Sequence, residues 1–214
     1  MEIEAENVSV IIDGHAVLTG QSAHAQPGQT LALVGASGSG KTTFLNTLGL
    51  LLRVNSGRVI VGGTDATRWK DQQRRRFWQQ HAAFVFQDYG LIDEQSIAYN
   101  VLLARLPLFG IRKKDRAEID DSLARVGLGG RGRDQVSSLS GGEKQRVGLA
   151  RAMFRRAEVI FADEPTASLD RANRDIVTTF LRSEAARGAT VVIATHDEDL
   201  ITSCDKTLDL MVPA

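Results

Sequence analysis

Three short stretches combine residue types and spacings that suit phosphate chemistry. Gly35-Ala36-Ser37-Gly38-Ser39-Gly40-Lys41-Thr42 satisfies G-x-x-x-x-G-K-[ST] in full, with an apolar run before it and an apolar-periodic stretch after it. Successive small residues let backbone N–H groups converge on phosphate oxygens at a helix N-terminus, where Thr43 is a further contact candidate. Lys41 is placed to reach the β- and γ-phosphates of a nucleoside triphosphate, and the Thr42 hydroxyl to ligate Mg²⁺. Average residue usage produces this pattern by chance in about one chain per hundred of this length.

Val159-Ile160-Phe161-Ala162-Asp163-Glu164 is an apolar strand running into two carboxylates. Beside a phosphate loop, Asp163 suits Mg²⁺ and Glu164 suits the task of polarising or deprotonating an attacking water. Alone, the pair reads more simply as a solvated cap on the turn at Pro165; the phosphate loop elsewhere in the chain favours the catalytic reading. Leu139-Ser140-Gly141-Gly142-Glu143 precedes a run of good helix formers. Ser140 is an N-cap candidate, and two glycines bare the backbone N–H groups at the positive end of the helix, a second anion site. By itself that pentapeptide is also compatible with an ordinary capped helix.

The elements that must position these residues follow from hydropathy. Ile3, Ala5, Val8, Val10 and Ile12 alternate with polar residues, predicting antiparallel strands, and Asp13-Gly14 predicts a turn between two of them. Continuous apolar runs at Thr30 to Val34, Val159 to Ala162 and Thr190 to Ala194 predict strands buried on both faces of a parallel sheet. Helices are expected over Thr42 to Leu50, Lys70 to Gln80, Ile97 to Leu106, Asp115 to Val126 (with Gly127 as C-cap), Gly142 to Phe154 and Ala172 to Ala186. The segment from about 88 to 136 is helical where strands would otherwise alternate, so it reads as an insertion in an α/β core.

At 214 residues the chain fits one domain with an insertion, given on the order of 150 residues per domain. Its 26 Lys+Arg balance 26 Asp+Glu, which excludes a global basic field, and no nucleic-acid partner is expected. The acidic Met1-Glu2-Ile3-Glu4 start has no apolar segment of signal-peptide type, and no stretch approaches the roughly twenty apolar residues of a membrane span. Any transmembrane subunits are therefore expected to be separate chains. The lone Cys204 has no partner for an internal disulfide and is expected to be a buried small hydrophobe. Arg74-Arg75-Arg76 and Arg112-Lys113-Lys114 are expected to be solvated faces. Leu91, Ile92, Ile97, Tyr99 and Val101 form an apolar cluster that fits either the core of the helical insertion or a groove for a partner helix.

Together the motifs resemble the nucleotide-binding subunits of ABC transporters. Leu139 to Glu143 matches the family signature, and the glycine-rich loop and acidic strand match its Walker A and B motifs. Gln87, after Phe84-Val85-Phe86, matches the Q-loop glutamine; Ser168-Leu169-Asp170 matches the D-loop; His196 matches the switch histidine. A small-molecule kinase would need neither signature nor D-loop, and a GTPase would need an N-K-x-D motif, which is missing. Alternatives within the family are a soluble non-transport ATPase and a cell-division ATPase acting on a cell-wall partner.

The resemblance implies a P-loop NTPase fold of ABC type: a mainly parallel core sheet with an N-terminal antiparallel β-subdomain (1–87 and 137–214) and an α-helical subdomain near 88–136. It implies ATP and Mg²⁺ as ligands, and a homodimer in which each signature helix closes on the other copy's nucleotide. Ser140, Gly141, Gly142, Glu143 and Asp170 would then serve the partner's site, Gln87 would touch Mg²⁺ and water, and His196 would contact the γ-phosphate. Separate transmembrane permease subunits would hold the chain at the cytoplasmic face of the membrane. Phe44 to Leu50, Phe86 to Ile92 and Ser140 to Arg156 are similar to an exporter group that includes lipoprotein-releasing, macrolide-export and bacteriocin-export ATPases, although Leu52 and Val54 replace the group's usual Asp and Pro. The family commonly places an aromatic ring against the adenine where Ile12 stands, and Gln where Glu143 stands. Weak base discrimination and a silent Glu143 are expected.

Overall fold

The computed structural model describes residues 1–103 and 113–210, with Lys113 and Lys114 by backbone alone. Two strands, β1 (Ile3–Ile12) and β2 (His15–Ala25), pair antiparallel around a two-residue turn. Asp13 and Gly14 both take positive φ, 51° and 80°, the type I′ geometry that matches strand twist. Then come β3 (Thr30–Val34), α1 (Lys41–Leu48), β4 (Ser56–Val61), β5 (Thr64–Asp65), α2 (Asp71–Gln80) and β6 (Ala82–Val85). The middle of the chain holds α3 (Ile97–Leu102) and α4 (Lys113–Arg125). The remainder is α5 (Gly141–Arg155), β7 (Val159–Asp163), α6 (Arg171–Ala186), β8 (Thr190–Ala194), α7 (Glu198–Thr202) and β9 (Lys206–Asp209).

The strands form two sheets, an antiparallel one ordered β2-β1-β4-β5 and a parallel one ordered β6-β7-β8-β3-β9. In the parallel sheet, successive side chains separate into two cores, as pleating requires. Val159 and Phe161 pack with Leu18, Phe44 and Leu45 under the antiparallel sheet. Ile160 and Ala162 pack with Val147, Leu149 and Val177 on the opposite face. Burial on both faces is why these strands read as unbroken apolar runs.

Several elements were absent from the sequence reading. Strand β9 is an edge strand of Lys-Thr-Leu-Asp with mostly exposed side chains, and in β4 the short Val59-Ile60-Val61 run follows Ser-Gly-Arg, so neither shows an apolar run as long as those of β3, β7 and β8. The expected helix 97–106 is described as Ile97–Leu102; positions 104–106, like Arg112, lie outside the described residues.

Three expectations are corrected. Arg74 is buried: its guanidinium donates to Leu52 O at 3.0 Å and lies 5.8 Å from the Trp78 ring centroid, while Arg75 and Arg76 are exposed. Burial lowers the Arg74 pKa. The apolar cluster divides, with Ile97 and Val101 in the core and Ile92 39% exposed. Cys204 is half-buried at the core margin, its Sγ 3.3 Å from Leu200 O, and burial pushes the thiol pKa up.

Candidate active site

Parallel strands point their carboxyl ends to one edge, so loops leaving different strands meet there. Gly35 follows β3, Gln87 lies two residues past β6, Asp163 closes β7, and Thr195 and His196 follow β8. The register places Ala194 opposite both Leu33 and Asp163, which sets the phosphate loop, the acidic pair and the histidine side by side.

The glycine-rich loop opens α1 through Gly40 at φ 88°. A Cβ there would lie 2.8 Å from Leu18 Cδ2 and 3.0 Å from Val17 O, so β2 presses on the loop and only glycine fits. Lys41 Nζ donates to Gly35 O at 2.9 Å and Ala36 O at 3.1 Å, which folds the ammonium back over the loop. Thr42 Oγ1 donates to Asp163 Oδ1 at 3.0 Å. Burial raises the Asp163 pKa and the adjacent Glu164 charge adds to the rise, opposed by the Thr42 hydrogen bond and by Lys41. Two hard oxygens brought together from separate elements at the phosphate end of the loop suit Mg²⁺, which takes one or two protein oxygens and completes its shell with phosphate and water.

Glu164 adopts φ 43°, an uncommon conformation for a residue with a side chain, costing on the order of 1–3 kcal/mol. Three groups hold its carboxylate: His196 Nδ1 at 2.9 Å, Thr195 Oγ1 at 3.3 Å and the His196 backbone N–H at 3.4 Å. Its side chain is 16% exposed and that of His196 75%, so the carboxylate is sheltered while the imidazole faces solvent. Gln87 is exposed and lines one cleft with Asp163 and another with Glu164 and His196.

The second anion-type site sits at the start of α5. Glu143 N–H donates to Ser140 Oγ at 3.3 Å, while the Ser140 backbone N–H donates to Glu143 Oε2 at 2.8 Å, a reciprocal capping box. The Ser140 hydroxyl also donates to Glu143 Oε2 at 2.8 Å, and Arg131 pairs with the other oxygen. The Ser140 backbone N–H first, then Arg131 and the Ser140 hydroxyl, hold the Glu143 pKa down at about 2. Glu143 is therefore not structurally silent: it faces its own helix. A Cβ at Gly142 would lie 2.8 Å from Asn173 Nδ2. Asn173 accepts from Arg146 and is bonded to Asp170, the N-cap of α6, at 2.8 and 2.9 Å, which ties the two loops together.

Within the chain the expected residues fall into separate groups. Lys41, Thr42, Gln87, Asp163, Glu164 and His196 converge. Among the described residues, no hydrogen bond or ion pair joins Ser140 to Glu143 with that set. Ile12 lies apart at the hairpin tip, 40% exposed, next to Ile11 at 50%.

A family model described as "ABC transporter" matches residues 18–167. The chain belongs to the ABC transporter family. It is an ATP-hydrolysing nucleotide-binding domain of that family, and its fold is the ATP-binding cassette. The lipoprotein-releasing system ATP-binding protein LolD 1 of Caulobacter vibrioides is 42% identical over 185 residues, covering 86% of this chain and 79% of that protein. LolD of Porphyromonas gingivalis is 36% identical, covering 98% and 96%. The macrolide export ATP-binding/permease protein MacB of Burkholderia pseudomallei is 38% identical over 91% of this chain, which spans 30% of that longer protein. The dimeric ATP-binding cassette MJ0796 bound to ADP and Pi superimposes with TM-score 0.87 at 26% identity, covering 97% of this chain and 94% of that one. Among the described residues of this ABC cassette, no helix is long and apolar enough to cross a membrane.

The sequence reading missed Thr195, Arg131 and Asn173. The spacing of Ser140 and Glu143 is a readable capping-box signal; the links from Thr195 to Glu164, from Arg131 to Glu143 and from Arg146 to Asn173 join residues 31, 12 and 27 positions apart and leave no local pattern.

Proposed function

We propose that the chain, a single cassette over 1–214 with its helical subdomain near 88–136, powers a transporter of the lipoprotein-releasing and export type from the cytoplasmic face of the membrane. It hydrolyses ATP as a head-to-tail homodimer and drives separate transmembrane subunits. The observation that carries this reading is the division of site residues: one set converges at the sheet edge, while among the described residues no hydrogen bond or ion pair ties the glycine-led start of α5 to that set. A second copy would bring the two together. The similarity to LolD and MacB supports the transporter type.

In this mechanism the loop Gly35 to Thr43 binds the triphosphate and Lys41 turns from the loop carbonyls to the β- and γ-phosphates. Thr42 and Asp163 would hold Mg²⁺, with Gln87 beside them, and the ion would supply neutralisation of the phosphate charge. Glu164 accepts a proton from the attacking water through its sheltered carboxylate. His196 orients that carboxylate through Nδ1 and presents its far face to the γ-phosphate. The partner's Ser140 and glycines close the opposite side, and Asp170 orders the seam.

Glu164→Gln tests the assignment. Removal of a general base costs about 10²–10⁴ in rate. The variant is expected to bind ATP, to elute as an ATP-dependent dimer and to lose turnover on that scale. Hydrolysis near the wild-type rate would overturn the base assignment.

A further inference from the structure

Among the described residues, the hydrogen bonds to the Glu164 carboxylate come from positions 195 and 196, so its aim depends on what fixes that loop. Thr195 is fully buried and its Oγ1 accepts from the Asp197 N–H at 3.1 Å while donating to Glu164. The Asp197 carboxylate accepts from the backbone N–H groups of Asp199, at 3.1 Å, and Leu200, at 3.3 Å, which starts α7. Opposite the carboxylate stands Arg174 of α6, with Nη1 3.8 Å from Asp197 Oδ2. The same guanidinium donates through Nε to Leu169 O at 3.0 Å, on the turn leading to Asp170.

We propose that Arg174 is a positioning residue for hydrolysis: it latches the Leu169 turn to Asp197 and thereby holds Thr195 and His196 on the Glu164 carboxylate. This rests on the reading of Glu164 as the base. Both ends of the bridged turn are strained, with Glu164 at φ 43° and Ser168 at φ 60°, so the turn needs external restraint to keep its shape. Arg174 lines the cleft that also holds Gln87, Glu164 and His196. It supplies a cation to a loop carrying Asp197, Glu198 and Asp199 in succession, whose carboxylates repel one another. A planar guanidinium suits this place because one edge binds the carbonyl while the other faces the carboxylate. Arg174 makes no hydrogen bond to the phosphate loop, so its removal should spare nucleotide binding.

The test compares Arg174→Ala, Arg174→Lys and Glu164→Gln in the full-length chain. Arg174→Ala is expected to lower kcat about tenfold or more, as small misplacements of a reacting group do, with KM for ATP within about twofold. Amide exchange at Asp199 and Leu200 should quicken, while melting temperature and binding of a fluorescent ATP analogue stay close to wild type. Arg174→Lys should restore part of kcat, and adding Arg174→Ala to Glu164→Gln should cost nothing more. Wild-type kcat in Arg174→Ala, unchanged exchange at 199–200, or a kcat loss matched by lost nucleotide binding or melting temperature each overturns the latch. Full turnover in Glu164→Gln overturns the base reading instead, so the two failures are distinguishable.

Discussion

Ile11 and Ile12, at the exposed tip of the β1–β2 hairpin, can offer a purine base dispersion but no aromatic face. An aromatic stack contributes about 1 kcal/mol beyond its area, a several-fold effect on affinity. The kcat/KM ratio for ATP over GTP is therefore expected to stay within about tenfold, and Ile12→Tyr to tighten binding of both nucleotides several-fold, since every base offers a π-face. A hundredfold ATP preference in the wild-type chain, measured under equal conditions, would contradict this account of the base site. At this scale the convergence of the glycine-rich loop and the acidic pair was legible, because both are small and charged residues at fixed spacing after buried strands, from Gly35 to Thr42 and at Asp163-Glu164. The groups that aim those residues were not legible. Thr195 acquires its role only when β8 lies beside β7.

Helix α5 shows how an element's terminus can be built twice, once for stability and once for ligand. Its capping box occupies Ser140 and Glu143, while Gly141 and Gly142 put no side chain on the first turn, where Tyr89 and Asn173 approach them. Ser140→Ala is expected to lower unfolding free energy by about 1 kcal/mol, read from denaturant midpoints. Glu143 adds a pH dependence whose sign follows from its depressed pKa. The stabilisation is fully present above the unfolded carboxylate value of 4.5 and fades as pH falls toward about 2. Over that interval the wild-type midpoint should fall more steeply than that of Glu143→Gln; parallel curves would remove the ionised capping box from the account. The buried strands were legible because burial on two faces leaves an apolar run, whereas β9 is paired with β3 alone and carries polar residues. Arg74 was misread for a related reason: a triplet of like charges hides the one member that the α2 periodicity turns toward Trp78 and Leu52.

At the scale of the whole molecule, the proposed dimer predicts a concentration dependence. ATP turnover per chain is expected to drop on dilution below the self-association range, and to recover when the concentration is restored. Constant specific activity across that range, with Ser140→Ala equally active, would show each copy complete in itself. The pairing of copies was not readable from spacing, because nothing in one chain's order says which phosphate site serves which molecule.

The contact of Val17 and Leu18 with Gly40 carries a consequence for engineering this protein. The small sheet and the nucleotide loop share a wall, so grafts or insertions in the hairpin can leave the cassette soundly folded while slackening its hold on ATP. Screens that score such variants by solubility alone would pass molecules that have lost their fuel.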